Sequence, residues 1–157
     1  MKDEPAFVPK PGQVDFTHIR YAPVVNVVAT YSGKVLLAKR APNMRIYPGK
    51  WHWIAGFLDD NTSIEDKVRE ELREEAGIND ADIIKLTRGT PRVEEDTSHG
   101  KTWLVIPVLA EIRTDKLALN WESSEAAWFE PEELKSLDMP PHAHHSARDF
   151  FPELFAD

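Results

Sequence analysis

Ile64, Val68, Leu72 and Ala76 recur every fourth residue between positions 63 and 76. At about 100° per residue they spread over roughly 120° of a helical wheel, the stripe of a helix that packs on one side. Gly77 follows, a residue suited to the position just past a helix end. The other apolar runs are short and rich in β-branched residues. Residues 22–30 (APVVNVVAT) and 35–39 read as strands around a Tyr-Ser-Gly-Lys turn, and residues 51–56, 81–90, 101–113 and 126–129 read as further strands. Pro107 implies an edge or a bulge in the long strand 101–113. Pro131 opens a helical turn, and a last amphipathic helix is expected over about residues 146–155, with Pro152 as a kink or early stop. Strands around one strong helix predict an α/β layered domain with a mixed sheet.

That helix carries an electrostatic difficulty. On the same wheel Glu71 and Glu75 fall within about 20° of Ile64, at the edge of the apolar face, with Glu74 and Glu70 further round. The pairs Glu70/Glu74 and Glu71/Glu75 repel at i,i+4 spacing. Partial burial makes that repulsion costly unless something neutralises it. Shared protons, arginines from elsewhere, or a hard divalent cation such as Mg²⁺ or Mn²⁺ would each serve.

The chain has 157 residues and suits one domain, with residues 1–16 as an irregular, proline-punctuated leader. Its net charge of −8, without a basic block, argues against a long nucleic acid as partner. It has no cysteine, which removes disulfides, thiolate zinc sites and cysteine nucleophiles and fits a cytoplasmic location. No apolar run reaches the roughly 20 residues of a membrane span.

Residues 56–78, GFLDDNTSIEDKVREELREEAGI, resemble the Nudix box: Gly, five residues, Glu, seven residues, then Arg-Glu-aliphatic-x-Glu-Glu-x-Gly-aliphatic. Gly56, Glu71, Leu72, Glu74, Glu75, Gly77 and Ile78 stand in register. The lead-in VLLAKRAPNMRIYPGKWHWIAG and the later ESSEAAWFEPEEL are similar to the family as well. Two positions depart: Thr62 replaces the first box glutamate and Glu70 replaces the box arginine, residues that usually form a structural ion pair. Thr62 with Glu65 matches a helix capping box, with Ser63 as the alternative cap, and Glu70 is a potential extra carboxylate for the cluster.

The resemblance implies a Nudix-type α/β/α sandwich with a central mixed sheet. It also implies Mg²⁺- or Mn²⁺-dependent hydrolysis of a nucleoside diphosphate linked to another moiety, a nucleotide sugar or ADP-ribose type being favoured. By resemblance Glu71 and Glu75 are the principal metal ligands, assisted by Glu74 and the carbonyl of Ala55. Glu122 is a further ligand or the general base, with Glu125, Glu94 and Glu95 as rivals. Arg40, Arg45 and Lys50 are candidate phosphate contacts. Trp53, with Trp51, Tyr47 and Trp103, is a candidate to stack a base. His142, His144 and His145 form a loose candidate metal cluster. Dimers are common among relatives, so a homodimer is one open assembly. The competing readings are a non-catalytic nucleotide-binding domain and an isopentenyl diphosphate isomerase. The isomerase needs a cysteine that this chain lacks.

Overall fold

The computed structural model describes residues 7–9, 11–12 and 14–156, so parts of the expected leader lie outside the described residues. Eight strands form one mixed sheet around two long central strands, β1 (Tyr21–Tyr31) and β7 (Lys101–Ile112). These two run parallel, with Val25 opposite Ile106 and Val27 opposite Val108. Every other pairing is antiparallel. β2 (Lys34–Arg40) turns back on β1 and carries β3 (Trp51–His52) and β8 (Ser123–Phe129). β4 (Ile54–Phe57) pairs with β1. β5 (Ile83–Arg88) and β6 (Arg92–Asp96) share one edge of β7.

The α-helix, α1 (Ile64–Ala76), lies where its apolar period places it. Val68, Leu72, Ala76 and Ile78 pack with Val25, Val27, Leu36, Ile54 and Val108 in one fully dehydrated cluster on one face of the sheet. At roughly 25 cal/mol per Å² of apolar surface removed from water, such burial dominates the docking of the helix. Gly77 ends α1 in the left-handed region at φ 69°, its N–H donating to the Arg73 carbonyl at 3.2 Å and the next N–H, of Ile78, to the Leu72 carbonyl at 3.0 Å. On the other face Val28, Val35, Leu37 and Trp53 meet Leu134 and Ala147 from short 3₁₀ segments, Pro131–Lys135 and Ala143–Ala147. These segments form the second outer layer of the sandwich.

Several expectations need correction. The strand read over residues 51–56 is broken at Trp53, which leaves β1's neighbour β4 separate from β2's neighbour β3. Residues 92–96, which lie between two expected strands, form a further edge strand whose side chains alternate between the sheet and solvent. Pro107 is in neither an edge strand nor a bulge. It sits on central β7 between the stretches paired to β6 (101–105) and β5 (108–112), where no outer strand asks for its missing N–H. The C-terminal helix does not form. Two 3₁₀ turns, Ala143–Ala147 and Pro152–Leu154, stand in its place. Pro152 excludes the helical region for Phe151, whose ψ is 61°.

Candidate active site

Two neighbouring elements assemble the acidic cluster. α1 presents Glu71 and Glu75 toward β4, while the chain entering β8 brings Glu122. Glu75 is 7% exposed, and its Oε2 accepts the Ala55 N–H at 3.2 Å. Gly56 is required beside it: a Cβ there would stand 2.5 Å from both Cδ and Oε1 of Glu71. Glu122 is fixed by its backbone, its N–H donating to Asn120 Oδ1 at 3.0 Å and its carbonyl accepting from Ala41 N–H at 2.8 Å.

Burial pushes the Glu71 carboxyl up to about 8, and the charges of Glu122, Glu74 and Glu70 push the same way. Glu75 is raised well above the ordinary carboxylate range, again first by burial, then by contact with Glu122 and Glu71. Glu71 and Glu75 therefore bind protons more tightly than exposed carboxyls do. No group of three or more His, Cys, Asp or Glu side chains among the described residues is arranged to hold a metal ion as it stands. The donor chemistry nevertheless fits a hard divalent cation. The donors are all carboxylate oxygens, and burial makes two of them, Glu71 and Glu75, bind positive charge, as a proton, more tightly than exposed carboxylates do.

The other predicted site residues separate into groups. Glu74 is exposed on the same helix. Glu94 pairs with Arg92 at 3.1 Å, and Glu95 with Arg20 at 3.2 Å and the Thr102 hydroxyl at 3.0 Å. Arg40 Nε donates to the Ile46 carbonyl at 2.6 Å, bracing the 41–50 loop. Lys50 extends to Asp138, at 2.7 Å. Trp53 is a packing residue in the second core cluster, 3% exposed, its indole N–H donating to the Ala143 carbonyl at 2.7 Å. Trp51 packs edge-on to Phe129, and Trp103 donates to Asp96 Oδ2 at 3.1 Å. His144 and His145 contact each other and Phe155 through their rings, 4.4 Å apart at their centroids, and join no metal-holding group.

Two residues matter here that the sequence reading passed over. His52, beside Ala38 in the β2–β3 pair, has a buried Nδ1 without a hydrogen-bond partner. Burial first, then the Arg40 charge, hold it neutral, down to about 3. Lys67 is 2% exposed, with its ammonium between Asp59, Asp60 and Glu70. It lies three residues after Ile64, at the margin of the apolar stripe, and that placement was the available signal. Glu70 therefore turns to Lys67 at 2.9 Å rather than joining the cluster of Glu71, Glu75 and Glu122. Thr62 is not the helix cap. Ser63 is, its Oγ accepting the Asp66 N–H at 3.1 Å, while Glu65 reaches Arg88 in a two-pronged pair at 2.7 and 2.8 Å.

Comparison with known proteins agrees with the architecture. The chain is 27% identical to a nucleoside triphosphatase NudI of Escherichia fergusonii, a similarity covering 77% of this chain and 90% of that protein. Among solved structures it is similar to a NUDIX hydrolase from Nitrosomonas europaea (TM-score 0.70, 21% identity, 85% of this chain and 90% of the other). It is also similar to the NUDIX domain of Shewanella oneidensis NrtR, solved with ADP ribose (TM-score 0.64, 15% identity, 83% and 87%). The NUDIX domain family model matches residues 20–154, with the carboxylates on α1 inside the match. By that match the chain belongs to the NUDIX family and is a Nudix hydrolase.

Proposed function

We propose that the chain hydrolyses a phosphoric anhydride bond in a nucleoside diphosphate linked to another moiety, with Mg²⁺ or Mn²⁺ as cofactor. The observation that carries this reading is the meeting of the buried Glu75 with Glu71 and Glu122, where burial raises the Glu71 and Glu75 carboxyls above the ordinary range. Glu71 and Glu75 hold the ion, with Glu74 assisting from the exposed side and the Ala55 carbonyl adding an oxygen. A divalent ion there supplies charge neutralisation for the phosphates and a lowered pKa for bound water. Glu122 takes the proton of the water whose oxygen attacks phosphorus. The new P–O bond forms as the bridging P–O bond breaks, and the departing phosphate carries away the bonding pair.

Arg40, Arg45 and Lys50 are proposed as phosphate contacts. The ion pair of Lys50 with the largely exposed Asp138 is of the weak surface kind and can exchange for a ligand. Nucleotide sugars and ADP-ribose remain the favoured substrates. A nucleoside triphosphate meets the same description, being a nucleoside diphosphate linked to phosphate, and the similarity to nucleoside triphosphatases favours including it.

The test is product formation across ADP-ribose, nucleotide sugars, dinucleoside polyphosphates and nucleoside triphosphates in millimolar Mg²⁺, with Glu71→Gln and Glu75→Gln alongside. Turnover of at least one substrate, reduced at least 100-fold in both variants, is expected. Absence of turnover across the series, or turnover that both variants retain, would overturn the reading.

A further inference from the structure

Lys67 is among the largest fully buried side chains, and it is charged. Its Nζ lies 2.9 Å from Glu70, 3.3 Å from Asp60 and 3.6 Å from Asp59. Burying an ammonium is unfavourable unless carboxylates and hydrogen bonds surround it, and here they do. The partners come from two places. Glu70 is on α1, directly before Glu71. Asp59 and Asp60 are in the loop that leaves β4, directly after the strand that carries Ala55 and Gly56. Asp60 serves both ends of that loop: its Oδ1 accepts the Thr62 N–H at 2.9 Å while its Oδ2 meets Lys67. The loop's start is held separately, by Leu58 N–H on the Pro23 carbonyl at 2.9 Å.

We propose that Lys67 is a positioning residue that locks the β4–α1 loop onto the helix, and so sets the carboxylates of Glu71 and Glu75 against the backbone of Ala55 and Gly56. The inference rests on the active-site reading above. Lys67 touches neither substrate nor ion. It acts through the loop, and the tolerance is small, because Glu71 already lies within van der Waals reach of Gly56. With the ammonium gone, Asp59, Asp60 and Glu70 repel one another across the loop–helix junction. The helix then shifts relative to β4, and the carboxylates lose their common focus.

The test is Mn²⁺ binding by the full chain, followed by calorimetry, with helix content followed by circular dichroism. Lys67→Met keeps the stem and removes the charge; it should weaken Mn²⁺ binding at least tenfold with the helix signal retained. Lys67→Arg should recover most of the loss. Asp60→Asn keeps an oxygen for the Thr62 N–H but removes the charge of a partly exposed partner. It should weaken binding at least twofold, and it guards against a Lys67→Met chain that does not fold. Wild-type affinity in Asp60→Asn and, where it folds, in Lys67→Met, even with a lowered melting temperature, would overturn the inference and leave the active-site reading standing. Failure of the unaltered chain to bind Mn²⁺ would overturn both.

Discussion

Gly56 and Glu71 face each other so closely that the glycine hydrogen occupies the only space between the β4 backbone and the carboxylate: a methyl there would stand 2.5 Å from Oε1. The side chain, not the backbone, is the part free to yield. Gly56→Ala should therefore rotate Glu71 away while leaving the apolar face of α1 docked. The expected result is at least a 30-fold loss of activity with a melting temperature within a few degrees of wild type. Loss of the fold together with the activity would show that the glycine serves packing instead.

The acidic cluster makes stability depend on pH in a defined direction. A Glu71 carboxyl that ionises near 8 in the folded chain, against an ordinary 4.5 when unfolded, binds more protons folded than unfolded between those values. Stability of the metal-free protein should then fall as pH rises through that window. Glu75, shifted in the same direction, adds to the effect. Thermal unfolding in EDTA should show a higher melting temperature at pH 5.5 than at pH 8 from this source. Mg²⁺ should restore more stability at pH 8 than at pH 5.5. His52 works against this trend: its folded imidazole resists protonation, so its contribution is lost as pH falls below about 6.5. The comparison of wild type with Glu71→Gln isolates the carboxylate part, which should shrink in the variant.

Glu122 is held by its backbone at both sides and can be altered without moving the chain. Glu122→Gln should lower kcat by 10²- to 10³-fold, the range of a lost general base, with KM changed less than threefold. An unchanged kcat with a raised KM would move Glu122 from proton acceptor to binding group.

How far the sequence discloses this arrangement differs by element. α1 is legible because its stripe of Ile64, Val68, Leu72 and Ala76 is a long, regular signal tied to one buried face. β6 is not, because Arg92, Glu94 and Glu95 make an edge strand from polar residues whose pairing is decided by β7. The C-terminal 3₁₀ turns look helical by period alone, and the constraint of Pro152 on Phe151 overrides that period. At the site, the inward turn of Glu71 and Glu75 follows from angle. The burial of Lys67 does not, since a lysine beside an apolar stripe ordinarily carries its charge to water. The loop acids Asp59 and Asp60, placed by the fold, join Glu70 in making its retention favourable.

Lys101 offers a stability test away from the site. It is 7% exposed, and its ammonium donates to the carbonyls of Phe16 at 2.6 Å and Ile19 at 2.7 Å. Phe16 in turn stacks on Phe57 at the end of β4, ring centres 5.0 Å apart. Lys101→Met should cost about 1.5–3 kcal/mol, the worth of charge-assisted hydrogen bonds, in urea denaturation. Protease cleavage near residues 14–20 should quicken before global unfolding. An effect below 0.5 kcal/mol, on the order of an exposed ion pair, would show that the carbonyls find other donors.

The parallel union of β1 and β7 has a consequence for how the protein comes to be. Tyr21 meets Thr102, and Thr30 meets Glu111, so the two middle strands join segments far apart in the chain. Such distant pairings form late, because the intervening chain must first be brought together. A ribosome-bound product that stops before Lys101 has the carboxylate helix and the first hairpin but no finished platform beneath them. Competence to bind an ion should therefore arise abruptly, once the second half of the polypeptide has been made, rather than grow with each turn of α1.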